Sequence, residues 1–348
     1  MSMRLTRRQA LAAGAASAAA LATAACAPGA TTPAGSTAAA PFRWLFGFTL
    51  QANPSQPVVI AKEQGFFKEQ NLAVNWDFTT DSSGIRLIGT GQYQAGSVSD
   101  IGTIIQFIGE GVPLKAIMQQ SQDSARALAV RKGSGIKRPK DFEGKRVGIR
   151  TSAWTEYLAM LAFDKVDRSK IKEVNIGFAG IELKNDLIDV MPVFKGVEPY
   201  LWSTTVPMEY ELLIPSDFGF PSVGTIMVAN ANYIKDKPDE TLRFVKSFLK
   251  GAEFMLANKE RTIQITGEYG GPATTKEAHA FIYDVTRKDV LAGDAATKGV
   301  GSINKTRWQE SIDLLSNLGV IKTKPKVEDL IDTTFIDKAI KDGKLVWP

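Results

Sequence analysis

The sequence contains almost no histidine or cysteine. Its 348 residues include a single histidine, His279, and a single cysteine, Cys26. These counts exclude a histidine-rich metal site, a zinc or redox pair of cysteines, and a disulfide within the chain. His279 stands in a predicted helix far from any G-x-S-x-G turn, and there is no G-x-x-x-x-G-K-[ST] phosphate loop. The sequence therefore predicts no metal, no cofactor and no catalytic residue.

The chain also has only a small excess of one sign of charge over the other. The chain has 42 basic and 37 acidic residues, a formal net charge of +5. Removal of the first 25 residues would take away three arginines and no acidic residue, which lowers the charge to +2. A surplus this small argues against binding to nucleic acid.

Residues 1–25 have the pattern of an export signal. Three arginines precede an uncharged apolar run, roughly residues 10–22, which is shorter than the ~20 residues of a membrane span. The hexapeptide TRRQAL at 6–11 resembles a twin-arginine signal, with general secretory export as the alternative. Small residues stand directly before Cys26, which resembles a bacterial lipobox in which the cysteine is lipidated.

The segment after Cys26 predicts a tether. Residues 27–41 consist only of Ala, Pro, Gly, Thr and Ser, a composition that does not form a core and stays disordered. A flexible chain of this length spans about 20 Å. We assign residues 1–25 to the signal peptide and residues 26–41 to the lipidated cysteine and its tether.

Strand and helix patterns alternate from residue 42 onward. Residues 42–50 predict a strand, 57–67 a helix that Gly65 ends in a left-handed C-cap, and 73–78 a second strand. A later helix begins at Ser99 or Asp100, which are good N-cap residues. The alternation restarts after residue 135, and it predicts two α/β lobes with mostly parallel sheets and helices on both faces.

The segments at the predicted strand ends carry most of the polar and aromatic side chains. In an open α/β sheet, ligands bind outside the carboxyl ends of the strands. The segments in question are residues 49–56, 79–84, 97–100, 119–124, 150–157 and 194–202. Their number, across two lobes, predicts a binding site in a cleft.

Four motifs resemble those of periplasmic substrate-binding proteins. They are FFKEQNLAV at 66–74, GEGVPLKAI at 109–117, PKDFEGKRVGI at 139–149 and DTTFIDKAI at 332–340. The resemblance is to the branch that handles nitrate, sulfonates, thiamine-pyrimidine precursors and riboflavin, and it covers nearly all of residues 42–348.

The resemblance implies an α/β type II "flytrap" fold, in which two lobes are joined by two crossover strands. We place these crossovers near residues 130–132 and 228–230. Lobe 1 would then comprise residues 42–130 plus 228–348, and lobe 2 residues 131–227.

The resemblance also implies a function. The chain would be the monomeric soluble receptor of an ABC importer, anchored by lipid to the outer face of the bacterial cell membrane. Its lobes would close over a small solute, and the closed form would dock on a permease with its ATPase subunit. Eukaryotic relatives that make thiamine pyrimidine carry a cysteine cluster that this chain lacks, which argues against an enzyme. A synthase-like enzyme and a sensor domain remain the alternatives.

The residue types in the predicted cleft favour a flat ligand. Its loops are poor in Arg and Lys, apart from Arg150 and Lys195, and rich in aromatic rings. Nitrate and sulfonate sites need concentrated positive charge or backbone N–H groups, whereas rings suit a stacked heteroaromatic. We favour riboflavin, with the hydroxymethylpyrimidine thiamine precursor or a sulfonate- or nitrate-type anion as alternatives.

Ten residues are predicted to contact this ligand. Glu198 is the first candidate to accept a hydrogen bond from a ring N–H, because it precedes Pro199 and should be extended. The aromatic candidates are Trp154, Tyr157, Phe194 and Tyr200. The weaker polar candidates are Gln51, Asn53, Asp81, Ser99 and Gln119. Trp44 and Phe46 are more consistent with a strand core.

Overall fold

The structure is a computed structural model that describes residues 38–47, 56–79, 84–150, 154–177, 180–270 and 275–348. Within residues 39–348 the chain forms one unit. The predicted signal peptide, Cys26 and most of the tether lie outside the described residues. Ala40 and Pro41, which the sequence assigned to the tether, already belong to the first strand.

The first part of the chain alternates strands with short helices. In order it forms β1 (Ala40–Phe46), α1 (Gln56–Glu63), α2 (Phe66–Glu69), β2 (Leu72–Phe78), α3 (Gly84–Gly89), β3 (Ala95–Val98), α4 (Ile101–Gly109) and β4 (Leu114–Gln119). Gly65 has φ +80° between α1 and α2, so the predicted left-handed cap is confirmed. Asp100 is the N-cap of α4, and its Oδ1 accepts a hydrogen bond from the Thr103 amide at 3.0 Å, as the sequence predicts.

The middle part repeats the alternation. It forms β5 (Arg126–Arg131), a 3-10 turn (Pro139–Phe142), β6 (Arg146–Ile149), α5 (Thr155–Phe163), a second 3-10 turn (Arg168–Lys170), β7 (Lys172–Asn175), α6 (Ile181–Lys184), β8 (Val190–Phe194), α7 (Glu198–Ser203), β9 (Tyr210–Leu213) and a third 3-10 turn (Pro215–Phe218).

The last part of the chain is mainly helical. It forms β10 (Ile226–Asn230), α8 (Ala231–Asp236), α9 (Pro238–Ala257), α10 (Lys259–Glu268), α11 (Lys276–Leu291), α12 (Ala295–Lys298), α13 (Lys305–Asn317), α14 (Val327–Leu330), α15 (Thr334–Ala339), and the short strands β11 (Ile340–Lys341) and β12 (Lys344–Leu345).

Two five-stranded sheets share one strand arrangement. The first sheet has the order β2-β1-β3-β10-β4, and the second has the order β7-β6-β8-β5-β9. In each sheet the fourth strand of the order, β10 or β5, runs antiparallel to both of its neighbours, while the other registered pairs are parallel. Each of these antiparallel strands is the first one formed after the chain changes sheets.

The chain passes between the sheets through residues 120–125 and returns through residues 214–225. Both passages precede the predicted positions, because Val130 pairs within β5 and Val228 pairs within β10. Sheet membership does not measure which residues move together, so the lobe boundaries at 130 and 228 stay a prediction.

Aromatic residues of the first sheet pack in its core. Phe42, Trp44 and Phe46 alternate with other side chains along β1 and are fully buried. The ring of Phe42 stacks on that of Phe244 in α9, with centroids 4.0 Å apart. The buried apolar face of α9 therefore serves core packing, and the rings of β1 do too.

Candidate functional site

A cavity of about 650 Å³ lies where the two sheets face each other. The first sheet and its helices contribute Gly47, Thr79, Ser97, Ser99, Asp100 and α4. The second contributes Arg126, Arg150, Trp154, Thr155 and Phe194. Most of these residues follow the carboxyl ends of parallel strands, where ligands bind in open α/β sheets. Arg126 reaches the same edge because it begins β5, which runs in the opposite direction.

Arg126 lines the cavity, and its charge is already paired with carboxylates. Its side chain is 11% exposed, and its Nη2 lies 2.9 Å from Oε2 of Glu156 and 3.5 Å from Oδ2 of Asp100. The same group donates a hydrogen bond to the carbonyl oxygen of Ser99. The guanidinium carbon lies 5.1 Å from the centre of the Trp154 ring, within cation–π range.

The carboxyl group of Glu156 holds its proton more tightly than an exposed glutamate does. Burial raises its pKa to about 7, and the nearby carboxylates of Asp100 and Asp123 add to the rise. The guanidinium of Arg126 and a hydrogen bond from the Ser124 hydroxyl, at 3.0 Å, oppose it. Burial disfavours the charged form, so this carboxyl, next to the cavity residue Arg126, keeps its proton to a higher pH than an exposed glutamate would.

Arg150 forms the second buried ion pair. It directly follows β6, and its guanidinium pairs with Glu198, whose side chain is fully buried. The other carboxylate oxygen of Glu198 accepts a hydrogen bond from the Phe194 amide at 2.8 Å. Burial raises the pKa of Glu198, and the charge of Arg150 opposes the rise. The pair ties the end of β6 to the end of β8.

The extended backbone predicted for Glu198 is wrong. Glu198 is the first residue of α7, and Pro199 is the second. Proline is well tolerated in the first turn of a helix, where an amide hydrogen has no intrahelical partner. The ion pair with Arg150 places the Glu198 carboxylate behind the cavity surface, and Arg150 rather than Glu198 lines the cavity.

A close contact between residues that line the cavity joins α4, beside the first sheet, to α5, beside the second. Oδ2 of Asp100, which caps α4, lies 3.4 Å from the amide of Thr155 in the first turn of α5. A Cβ atom added to Gly102 would lie 2.5 Å from Cγ2 and 2.9 Å from Cβ of Thr155. Only glycine permits this approach of α4 to α5.

The aromatic candidates are divided between the cavity and the core. Trp154 and Phe194 line the cavity. Tyr157 is buried beneath α5, where its hydroxyl donates to Glu173 at 3.2 Å. Tyr200 lies away from the cavity, with its hydroxyl 2.9 Å from that of Thr275. Trp202 is buried, and its indole donates to the carbonyl of Gly180.

The polar candidates are divided as well. Ser99 lines the cavity, and its hydroxyl lies 3.1 Å from that of Thr225. Gln119 is fully buried beside Gln122 and Trp308 and does not line the cavity. Gln51, Asn53 and Asp81 lie outside the described residues. Ligand binding by any of the ten residues stays a prediction.

Sequence reasoning missed two features of this cavity. Arg126 interrupts the otherwise apolar strand pattern ARALAV, and a lone charge in such a strand is a signal that could have been used. The approach of Gly102 to Thr155 leaves no such signal, because the two residues are 53 positions apart and belong to different sheets.

The described residues offer little for metal or membrane chemistry. They contain no group of histidine, cysteine, aspartate and glutamate side chains that could hold a metal ion. His279 is buried in α11, and burial lowers its pKa. No helix in the described ranges is long and apolar enough to cross a membrane.

Solved structures and curated proteins resemble this chain. The periplasmic aliphatic sulphonate binding protein of Escherichia coli superposes with a TM-score of 0.65 at 14% identity, over 84% of this chain and 92% of that one. A Haemophilus influenzae protein named for thiamine biosynthesis is 24% identical over 269 residues, which cover 76% of this chain and 83% of the relative. The 4-amino-5-hydroxymethyl-2-methylpyrimidine phosphate synthase of Uromyces fabae is 25% identical over 226 residues, which cover 58% of this chain and 63% of the relative.

These likenesses confirm the predicted fold, the two-lobed α/β architecture of periplasmic binding proteins. The family model described as "NMT1/THI5 like" matches residues 53–262, more than half of the chain. The chain therefore belongs to the NMT1/THI5-like family.

Proposed function

We propose that the protein is the solute receptor of an ABC importer and that it binds a flat heteroaromatic molecule in the cavity between its sheets. The observation that carries this proposal is the combination of two rings, Trp154 and Phe194, with two cavity arginines that already have buried carboxylate partners. Riboflavin is the first ligand of this class to test, and the hydroxymethylpyrimidine thiamine precursor is the second.

The charges of the cavity weigh against an anion. A bound sulfonate or nitrate would have to compete with Glu156 for Arg126 and with Glu198 for Arg150. Asp100 also brings a carboxylate to the first turns of α4 and α5, where an anion would otherwise be stabilised by the helix dipoles. A neutral ring avoids both conflicts.

Stacking alone gives too little affinity. A ring that buries ~200 Å² of apolar area gains about 5 kcal/mol, whereas micromolar binding requires about 8 kcal/mol after the costs of association. Hydrogen bonds must supply the rest. The described cavity residues that carry hydroxyls are Thr79, Ser97, Ser99, Thr103, Thr155 and Thr323, and Gln106 carries an amide.

The remaining parts of the proposal concern delivery. The protein would be exported, held at the outer face of the cell membrane by lipid on Cys26, and monomeric, and its closed form would dock on a permease with an ATPase subunit. Lobe 1 would comprise residues 42–130 plus 228–348, and lobe 2 residues 131–227. Metabolic labelling with palmitate, followed by separation of membrane and soluble fractions, tests the anchor. Wild-type protein should be labelled and found with the membrane, whereas Cys26→Ser should be unlabelled and found in the soluble fraction.

Binding without chemical conversion is also part of the proposal. The Uromyces fabae relative is named as a synthase, so the alternative is an enzyme that makes a pyrimidine. Purified protein, without a partner, would then release a pyrimidine product when given substrates. We expect it to return every bound molecule unaltered.

Native mass spectrometry tests the ligand class. Protein purified under native conditions is analysed directly, then stripped and offered an equimolar mixture of riboflavin, hydroxymethylpyrimidine and an alkanesulfonate. We expect the mass of one heteroaromatic compound to be retained. Retention of the sulfonate in preference to both would refute the proposed ligand class.

A further inference from the structure

Helix α11 is attached to the helices of the first sheet. The hydroxyl of Tyr283 in α11 donates to the carbonyl of Met255 in α9 at 3.0 Å, and Asp284 pairs with Lys259 of α10 at 2.7 Å. Helix α9 in turn packs on β1 through the ring of Phe244. On these contacts α11 belongs to the half of the molecule that contains the first sheet.

Other residues of α11 contact the segment that follows β8 in the second sheet. The hydroxyl of Tyr200 lies 2.9 Å from that of Thr275, the N-cap of α11, and its ring centre lies 5.7 Å from that of Phe281. A Cβ atom added to Gly196 would lie 3.7 Å from Cα of Ile282, which is an ordinary van der Waals distance. The two halves therefore meet along α11 as well as between α4 and α5.

An ion pair completes the contact along α11. Lys195 directly follows β8, and its Nζ lies 2.7 Å from Oδ1 of Asp289 in α11 and 3.3 Å from Oδ2 of Asp123. The side chains of Lys195 and Asp289 are only 12% and 9% exposed, so solvent and salt screen their attraction little. Asp123 lies in the first passage between the sheets, where the amide of Gln122 donates to the carbonyl of Asp289 at 2.7 Å. Lys195 thus joins the second sheet both to α11 and to the passage.

The ion pair lies outside the ligand cavity. Val193 and Phe194 of β8 line the cavity, whereas Lys195 and Asp289 are not among the described residues that do. If the sheets swing apart about the passages, Lys195 moves with β8 and Asp289 stays with α9 and α10, so the pair has to break. The pair can therefore act on a ligand only through the position of the two sheets.

We infer that the Lys195–Asp289 ion pair is a latch that holds the two sheets together around the cavity and thereby raises the affinity for the ligand, with Lys195 as a positioning residue. A contact that exists only when the sheets meet favours the closed arrangement, and apparent affinity rises with the fraction of molecules that are closed. The effect on affinity rests on the proposed function, because it assumes that the sheets close over a solute. The effect on the position of the sheets does not.

Small-angle X-ray scattering without ligand tests the latch in three proteins that all carry Cys26→Ser, which keeps the chain free of lipid. The parent has no other change, the latch variant adds Lys195→Met/Asp289→Asn, and the control adds Lys259→Met/Asp284→Asn. Both charges of the latch are removed together, since removal of one would leave the other buried and unpaired. The control removes a Lys–Asp pair of the same 2.7 Å length from the same helix, but both of its partners belong to the half with the first sheet.

We expect the latch variant to have a larger radius of gyration than the parent, and the control to match the parent. Tryptophan fluorescence titration with riboflavin should show about tenfold weaker binding in the latch variant, as follows if the closed fraction falls about tenfold. The control should bind riboflavin as the parent does. Urea unfolding verifies that each variant is folded, and Asp289→Asn alone, which keeps the size of the side chain, replaces the latch variant if that variant does not fold.

Each contrary result has a distinct meaning. Equal radii of gyration in the parent and the latch variant overturn the latch, and so does an equal expansion of the control, which would indicate a general loosening. An expanded latch variant that binds riboflavin as tightly as the parent overturns the effect of the latch on affinity. If the latch variant alone expands and the parent binds neither riboflavin nor hydroxymethylpyrimidine, the latch stands and the proposed ligand class fails.

Discussion

The two sheets have the same strand order but contribute different chemistry to the cavity. The first sheet and α4 contribute small and hydroxyl residues, at Gly47, Ser97 and Ser99, and the carboxylate of Asp100, whereas the second contributes Arg126 and Arg150 together with two rings. Strand order thus decides where the site lies, and the few residues after each strand decide what the site can bind. On this view the second sheet should dominate both the stability and the affinity of the site.

The largest effect is expected from Arg150→Met. The substitution leaves the fully buried carboxylate of Glu198 without its cation, and removing one partner of a buried ion pair costs about 4 kcal/mol. Urea unfolding at pH 8 should show this loss. At pH 5 the loss should shrink, because the pKa of Glu198 is raised by burial and the protonated group no longer carries an unpaired charge.

Arg138→Met is the matched control for Arg150→Met. Arg138 also forms an ion pair, with Asp164, but its side chain is 58% exposed, and solvent screening makes exposed pairs contribute little to stability. An equal loss in both variants would show that burial does not set the strength of the Arg150 pair.

The second effect is a dependence of stability on pH. Because the pKa of Glu156 rises from 4.5 in its ordinary state to about 7, the folded protein binds this proton more tightly than the unfolded chain. The free energy of unfolding should therefore fall as pH rises from about 4.5 to 7, by on the order of 3 kcal/mol, and then level off.

Glu156→Gln should remove most of this pH dependence in urea unfolding series. Glu143→Gln serves as the control, because hydrogen bonding to Lys140 lowers the pKa of Glu143 and its titration falls below the window. If the free energy of unfolding of Glu156→Gln fell with pH as steeply as that of the wild-type protein, the assignment of the proton to Glu156 would be contradicted.

The third effect concerns the contact between α4 and α5, where Gly102 approaches Thr155. Gly102→Ala places a methyl group against Thr155, so we expect α4 and α5 to be forced apart and ligand affinity to fall about 100-fold, or about 3 kcal/mol. The double variant Gly102→Ala/Thr155→Gly removes the opposing side chain and should restore most of the affinity. Failure of the double variant to recover would show that the contact does not control binding.

The smallest effects separate the two sheets directly. Trp154→Ala removes a ring from the second-sheet side and should weaken heteroaromatic binding about tenfold, consistent with the worth of an aromatic contact plus its buried area. Ser99→Ala, on the first-sheet side, removes one hydroxyl and should cost about threefold. Calorimetric titration of both variants in parallel measures the two losses of ligand affinity. A larger loss of affinity for Ser99→Ala than for Trp154→Ala would contradict the view that the second sheet dominates binding.

The order of helices and strands could be predicted from sequence because it is encoded locally. The left-handed Gly65 and the Asp100 cap depend on neighbouring residues alone, and both are confirmed. The passages between sheets lie at residues 120–125 and 214–225, before the segments predicted as crossovers, and a polar connection between two strands does not by itself show that the strands belong to different sheets.

The candidate site was less predictable, because a ring has the same sequence signature whether it lines a cavity or fills a core. Trp154 and Phe194 line the cavity, whereas Tyr157 and Trp202 are buried elsewhere. The preference of a residue before proline for an extended backbone was overridden at Glu198 by a helix start and a buried ion pair. Contacts between distant segments, such as that of Gly102 with Thr155, leave no local trace.

The most direct test is isothermal titration calorimetry of the purified protein with riboflavin, hydroxymethylpyrimidine, an alkanesulfonate and nitrate at constant ionic strength. A flat neutral ring bound between the sheets predicts micromolar or tighter affinity for a heteroaromatic compound, and affinity at least 100-fold weaker for both anions. Tighter binding of either anion, with no measurable binding of either heteroaromatic compound, would contradict the proposal that a flat neutral ring binds between the sheets.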